Sequence, residues 1–193
     1  MLSEIEHPDE LRHGLGSIWS ATRVANPDFA ISGPVTFHSG ASFGMSAAAW
    51  RNAVFSPVLL PALRAALGHA RRGELRELSA LDRKLSGELG EIARDGSLRA
   101  GRHLAQRGAE LQGDRLLPRL GEWVRDGMTP GHLVIVFAAR CAAFSLPDRA
   151  TAGAYLFQEM CAGAPTAAIP IVCEFIASCI EPLGGAPAGL RAA

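Results

Sequence analysis

The sequence predicts an all-α fold, a single-domain bundle of amphipathic helices around central apolar helices. Apolar residues recur every three or four positions between residues 75 and 92, which is the period of one helix face. The segment 132–184 is dominated by apolar residues and favours burial, because each methylene withdrawn from water contributes about 0.8 kcal/mol. No stretch alternates convincingly between apolar and polar residues, as a half-buried strand would. With 193 residues, 48% of them hydrophobic, the chain is long enough for one complete core.

The chain begins with a polar stretch, and residues 1–30 are expected to form an N-terminal arm with a short helix. The first residues are acidic and lack the basic and apolar regions of a signal peptide, so a cytoplasmic location is expected. Residues 31–183 form the predicted helical domain. Residues 184–193 are rich in glycine and proline and are predicted to be a flexible tail.

The first helices of the domain are expected to be short, because prolines interrupt them. Ser46 can cap a helix that enters at Ala47. Pro57 and Pro61 are predicted to break that helix, and a second one follows over residues 63–70. The clearest periodicity comes next, as one apolar stripe with charged residues on the opposite face: Leu75, Leu78, Leu81, Leu85, Leu89 and Ile92.

The central helices follow from residue 129 onward. Thr129-Pro130 is a helix start signal, a capping side chain followed by a proline, and predicts a buried helix over residues 132–144. Further helices are expected from Asp148 to about residue 162 and over roughly residues 171–181. The charge-free runs are shorter than the ~18 residues of a membrane-spanning helix, so no membrane span is predicted in this segment.

The charge balance argues against one class of partner and favours another. Nineteen basic and nineteen acidic residues give a formal net charge of zero, whereas a nucleic-acid-binding domain normally has a basic excess. A net charge near zero favours self-association, and a homodimer is expected.

The sequence carries no motif for catalysis or for binding a metal or cofactor. A phosphate-binding loop, an HExxH pair and a nucleophile elbow are all absent. No two of the six histidines lie four residues apart, and the four cysteines lack zinc-site spacing and are expected to be small buried hydrophobes. A ring nitrogen of His132 is expected to satisfy a local backbone group. Two interpretations of His38-Ser39-Gly40 stay open, a capped turn packed on the core and a segment whose backbone approaches a partner closely.

Three segments of the chain resemble UreF, a family of urease accessory proteins. PVTFHSGASFGMSAA is similar to the family's early segment of proline, aromatic, His-Ser, glycine and small residues. ARDGSLRAGRHL resembles its Arg-Glu-Ala-Ser, Leu-Arg, Gly-Arg helix, with Asp95 in place of the glutamate. IEPLGGAPAGLR is similar to its Pro-Leu-Gly-Gln segment and the following Gly-Gln-Arg, although Gly185 and Leu190 stand where the family has glutamine.

The resemblance implies a non-catalytic, all-α adaptor. Such a protein would dimerise, bind a UreD/UreH-type scaffold and recruit a UreG-type GTPase, so that GTP hydrolysis is coupled to nickel delivery into apo-urease. It also implies partner-binding roles for twelve residues: His38, Ser39, Gly40, Arg94, Asp95, Ser97, Arg99, Arg102, Pro182, Leu183, Gly184 and Arg191. Two alternatives stay open. One is an all-α enzyme or cofactor-binding protein with a ligand among the central helices, and the other is a UreF-like paralogue that serves another metalloenzyme.

Overall fold

A computed structural model describes residues 18, 20–27, 47–107, 114–161 and 169–180. Every regular element within these ranges is a helix, which confirms the all-α prediction. Most of the predicted N-terminal arm and all of the predicted tail lie outside them, so the proposed division of the chain stays a prediction. In chain order the helices are α1 (residues 20–25), α2 (Ala47–Trp50), the π-helix π1 (Arg51–Leu59), α3 (Leu60–Arg71), α4 (Leu75–Glu88), α5 (Glu91–Gln106), α6 (Leu116–Arg125), α7 (Leu133–Ala143), α8 (Asp148–Cys161) and α9 (Ile169–Ile180).

Helix α7 lies at the centre of the bundle. Residues 131–141 are all buried, as expected for a helix that is apolar all round. It packs against α3, α5, α6 and α8, while α9 packs on α8. The thiol of Cys141 lies in this core, and burial raises its pKa to about 12, so it is an inert packing group. The prediction of a buried central helix is confirmed, with the start at Leu133 in place of His132.

The prolines near the start of the domain do not break the chain into separate helices, which corrects the prediction. The helical path runs continuously from Ala47 to Arg71. Pro57 lies inside π1, where the bonding pattern changes and the Leu60 N–H bonds to the Phe55 carbonyl. Proline removes one donor and collides with the carbonyl four residues earlier, so a locally wider helix accommodates it. Pro61 is in the first turn of α3, directly after the π-helix, and the helical path continues through it.

The same stretch is apolar enough to pass a composition test for membrane spans. Among the described residues, one helix, Ala48–Arg71, has the required length, with a mean hydropathy of 1.3 and 39% of the tested window buried. Its larger apolar side chains Leu59, Leu63 and Leu67 are each 1% exposed and pack in the core with α7. Such packing is typical of the core helix of a globular protein, and a single helix of this kind is weak evidence for a membrane span.

The apolar stripe between residues 75 and 92 is interrupted, and the prediction is wrong for its end. Helix α4 ends at Glu88, and both Leu89 (φ −90°, ψ 135°) and Gly90 (φ −61°, ψ 155°) are extended. This break resets the helical phase, so Ile92 points outward and is 64% exposed. Leu81 is only partly buried, at the edge of the core. The rest of the stripe is buried: Leu75, Leu78, Leu85 and Leu89.

Candidate partner-binding surface

The structure describes five of the twelve residues predicted to bind partners, and all five lie on α5: Arg94, Asp95, Ser97, Arg99 and Arg102. The other seven, His38, Ser39, Gly40, Pro182, Leu183, Gly184 and Arg191, lie outside the described residues.

The outer face of α5 carries charged side chains with few contacts to the rest of the molecule. Arg94 Nε lies 3.9 Å from Asp95 Oδ1, and these side chains are 39% and 65% exposed. A surface pair of this length contributes little to stability. Arg99 is exposed and makes no hydrogen bond or ion pair within the described part of the chain. Helix α5 therefore presents charged side chains to solvent from a regular backbone.

Ser97 lies on the opposite, inner face of α5, which corrects its placement on a partner surface. Its side chain is 0% exposed, and its Oγ accepts a hydrogen bond of 3.1 Å from the backbone N–H of Leu133. That N–H is among the first of α7 and has no acceptor within its own helix. The serine therefore ties α5 to the start of the central helix.

Asp82 on α4 holds the segment that leads into α7, residues 126–132, which we call the 126–132 loop. Its carboxylate is 0% exposed and accepts three hydrogen bonds. Oδ2 accepts from Thr129 Oγ1 at 2.7 Å and from the Gly131 N–H at 2.6 Å, and Oδ1 accepts from the His132 N–H at 2.9 Å. A buried carboxylate is tolerated when such donors replace its hydration. Thr129 therefore bonds across the fold and does not cap α7 in the manner its sequence predicts.

His132 completes this network from the loop side. Its ring is buried, and Nε2 lies 2.8 Å from Ser86 Oγ on α4, so the expected bond to a local backbone group is absent. Nδ1 is buried and has no hydrogen-bond partner among the described residues. Burial lowers the pKa of His132, and the charges of Arg102 and Arg94 act in the same direction against the opposing effect of Asp82. The neutral imidazole is therefore favoured.

Gly101 allows α5 to touch the 126–132 loop directly. A Cβ atom at this position would overlap the Gly131 carbonyl oxygen and lie 2.5 Å from the Leu133 nitrogen. Gly131 itself has φ +84°, a conformation that favours glycine. The loop is thus held between α4 and α5 with no room for side chains at the point of contact.

The sequence matches the UreF family model over residues 46–169. That range covers more than half of the chain. The chain belongs to the UreF family. No curated protein matches it significantly, and no solved structure does so.

UreF-family proteins are non-catalytic urease accessory proteins that act in nickel insertion within urease maturation complexes. The predictions of the family and of a protein that is not an enzyme are thereby confirmed. The matched range includes α4, α5 and the 126–132 loop but neither the His38 segment nor the C-terminal tail. Within the described part of this UreF-family protein, no group of three or more His, Cys, Asp or Glu residues could hold a metal ion.

Sequence reasoning missed Asp82, the residue on which the loop depends. A signal was present, since Leu78, Asp82 and Leu85 follow one another at spacings of four and three. A lone acidic residue on the apolar face of a helix is expected to accept hydrogen bonds from buried donors. Those donors come from a segment more than forty residues away, which the local pattern does not reveal.

Proposed function

We propose that this UreF-family protein is an adaptor that binds a UreD/UreH-type scaffold and recruits a UreG-type GTPase, so that GTP hydrolysis drives nickel delivery into apo-urease. In this proposal it acts in the cytoplasm as a homodimer and supplies binding surfaces, while the chemistry belongs to its partners. The observation that supports the proposal most is the outer face of α5. Its charged side chains add little to the fold, yet they stand on a helix that is fixed on its inner face.

The rigidity of α5 matters for binding. Ser97 and Gly101 hold the inner face against the start of α7, so the outer arginines project from a fixed backbone. A preorganised surface loses less conformational entropy on association than a mobile one. Arginine also suits such a surface, because its planar fork can hold a partner carboxylate through two parallel hydrogen bonds.

The test compares two exposed arginines on neighbouring helices. Arg99→Glu changes the proposed surface, and Arg76→Glu on α4 makes the same charge change away from α5. We expect both variants to keep the melting temperature of the wild type, since neither side chain is buried. Binding to the scaffold or the GTPase should weaken by about tenfold for Arg99→Glu alone, which corresponds to ~1.4 kcal/mol. Equal affinities for the two variants would remove α5 from the proposal.

The remaining predicted residues extend the proposed surface to the His38 segment and the tail. Residues 184–193 carry almost no large apolar side chain and cannot offset an ordering cost of ~1–2 kcal/mol per residue without a partner. Deletion of residues 184–193, or Arg191→Ala, should therefore leave the melting temperature unchanged and weaken scaffold binding. A truncated protein that stays folded and binds the scaffold at full affinity would show that the tail has no docking role.

Self-association is the part of the proposal that is simplest to measure. Light scattering at micromolar concentrations should give the mass of two chains, each of 20.3 kDa. A monomer throughout the concentration range would exclude the homodimer and leave the adaptor role to be judged on the binding experiments.

A further inference from the structure

Two arginines from different helices bind the 126–132 loop on its carbonyl oxygens. Arg83 on α4 donates from Nη2 to the Met128 carbonyl at 2.5 Å. Arg102 on α5 donates from Nε to the Pro130 carbonyl at 3.0 Å. Both side chains are exposed, and the loop residues that they bind are only two positions apart. The two guanidinium groups are therefore anchored close to one turn of backbone.

A large apolar side chain is exposed at this same turn. Met128 is 48% exposed and is one of the two large hydrophobic side chains that are exposed within the described residues. Its backbone is fixed, because Ser79 Oγ as well as Arg83 reaches its carbonyl oxygen and the following Thr129 bonds to the buried Asp82. We call Arg83, Arg102 and Met128 together the Met128 surface.

The positive charges of the Met128 surface are not neutralised by surface carboxylates. Neither arginine forms an ion pair within the described part of the chain, and neither has an Asp or Glu three or four residues away on its own helix. Arg125 at the end of α6 and Asp126 at the start of the loop add charges that cancel. Both carboxylate oxygens of the buried Asp82 already accept hydrogen bonds on the inner side of the loop.

The geometry leaves most of the hydrogen-bonding capacity of both guanidinium groups unused. Each guanidinium has five N–H donors, and one donation from each is seen to the residues that the structure describes. The carbonyl bonds restrain the long side chains, so a ligand would meet preorganised donors. Carboxylates match these donors in a bidentate manner, and an exposed methionine adapts to apolar side chains of varied shape.

We propose that the Met128 surface docks an acidic segment of a partner protein, in which two carboxylates flank one apolar side chain. The carboxylates would bind Arg83 and Arg102, and the apolar side chain would cover Met128. This inference rests on the proposed adaptor function. It adds a second contact region on the 126–132 loop, which α4 and α5 flank, and it names the chemistry of the ligand. Charge complementarity and the exposed methionine favour a peptide segment over a bare anion.

The test measures the affinity of the full-length chain for the purified scaffold and for the purified GTPase, at low and at high ionic strength. Arg83→Gln, Arg102→Gln and Met128→Gln change the surface, and Arg76→Gln is the matched control on α4. A thermal melt on each variant identifies any loss caused by unfolding. We expect each arginine variant to bind one of the two partners about tenfold more weakly or worse, with a smaller salt dependence than the wild type. Met128→Gln should weaken the same partner, and Arg76→Gln should leave both affinities unchanged.

A charge exchange makes the test independent of the stability of the loop. Arg102→Glu should abolish binding, and replacement of the contacted partner carboxylate by arginine should restore it. If the surface variants bind both partners as the wild type does, the Met128 surface is not a docking site, although the adaptor function stands. If the wild-type chain binds neither partner, the adaptor function itself is wrong. A labelled single-stranded oligonucleotide serves as the competing ligand. If it binds more tightly than either protein, and the same variants lose that binding, the surface binds phosphate and the inference is overturned.

Discussion

Replacement of Asp82 by alanine should destabilise the protein more than any other single change to a polar residue described above. The substitution removes one buried acceptor and leaves three donors, the Thr129 hydroxyl and the backbone N–H groups of Gly131 and His132. A hydrogen bond to a charged group contributes about 1.5–3 kcal/mol, so three give a sum of about 4.5–9 kcal/mol. A water molecule that enters the vacated space would recover part of this sum, because it can accept from the same donors. We therefore expect a loss of about 3–5 kcal/mol.

Urea denaturation followed by circular dichroism measures this loss. With a slope of about 2 kcal/mol per M, the midpoint should fall by roughly 2 M. Asp95→Ala is the matched control, since this carboxylate is on the exposed face of α5 and should change stability by less than about 0.5 kcal/mol. Hydrogen exchange adds a local readout, because the amides of Gly131 and His132 should lose protection first in Asp82→Ala. A midpoint within about 0.3 M of the wild type would show that the carboxylate does not hold the loop.

Three other predictions test separate parts of the structure. Leu78→Ala should lower the free energy of unfolding by about 2–5 kcal/mol because Leu78 is 0% exposed, and Leu81→Ala should lower it less because Leu81 is only partly buried. Equal urea midpoints for the two variants would contradict the packing of α4. Gly101→Ala should destabilise the protein by about 3 kcal/mol because the added methyl group overlaps the 126–132 loop. Gly87→Ala places its methyl group in open space and should stabilise by about 0.5–1 kcal/mol. Similar melting temperatures for the two variants would refute the close contact at Gly101. The pKa of His132 is lowered in the folded state, so the unfolded chain takes up the proton first and stability should fall as the pH drops below 6.5, by at most about 1.4 kcal/mol per pH unit. His132→Gln should flatten this dependence, and an unchanged pH profile would show that the imidazole is not kept neutral by folding.

Local sequence patterns predicted the helices well where burial decides them. The apolar residues from Leu133 to Ala139 leave water only inside the bundle, and the structure buries all of them. Periodicity also identified the buried side of α4. It did not identify the two extended residues after Glu88, because Leu89 keeps the apolar spacing while the backbone leaves the helix. Ile92 was misplaced for that reason.

The candidate site was less predictable, since its contacts are long-range. The motif around Arg94 to Arg102 was recognised as one unit, but it has two faces with different roles. Ser97 on the inner face bonds to Leu133, and Arg99 on the outer face meets solvent. Spacing alone does not show which face the neighbouring elements cover. Arg83 could not be found at all, because its partner is the backbone carbonyl of Met128, which has no sequence signature.

The accessory role can be measured as the nickel content of urease purified from the host after deletion of the gene for this chain. An accessory role in nickel insertion predicts that the urease polypeptides are made in normal amounts but are nickel-deficient and inactive. The wild-type gene should restore both nickel and activity, and a gene that encodes the Arg99→Glu protein should restore less than one that encodes Arg76→Glu. Urease that is fully loaded and active in the deletion strain would contradict the account and indicate that the protein serves another metalloenzyme.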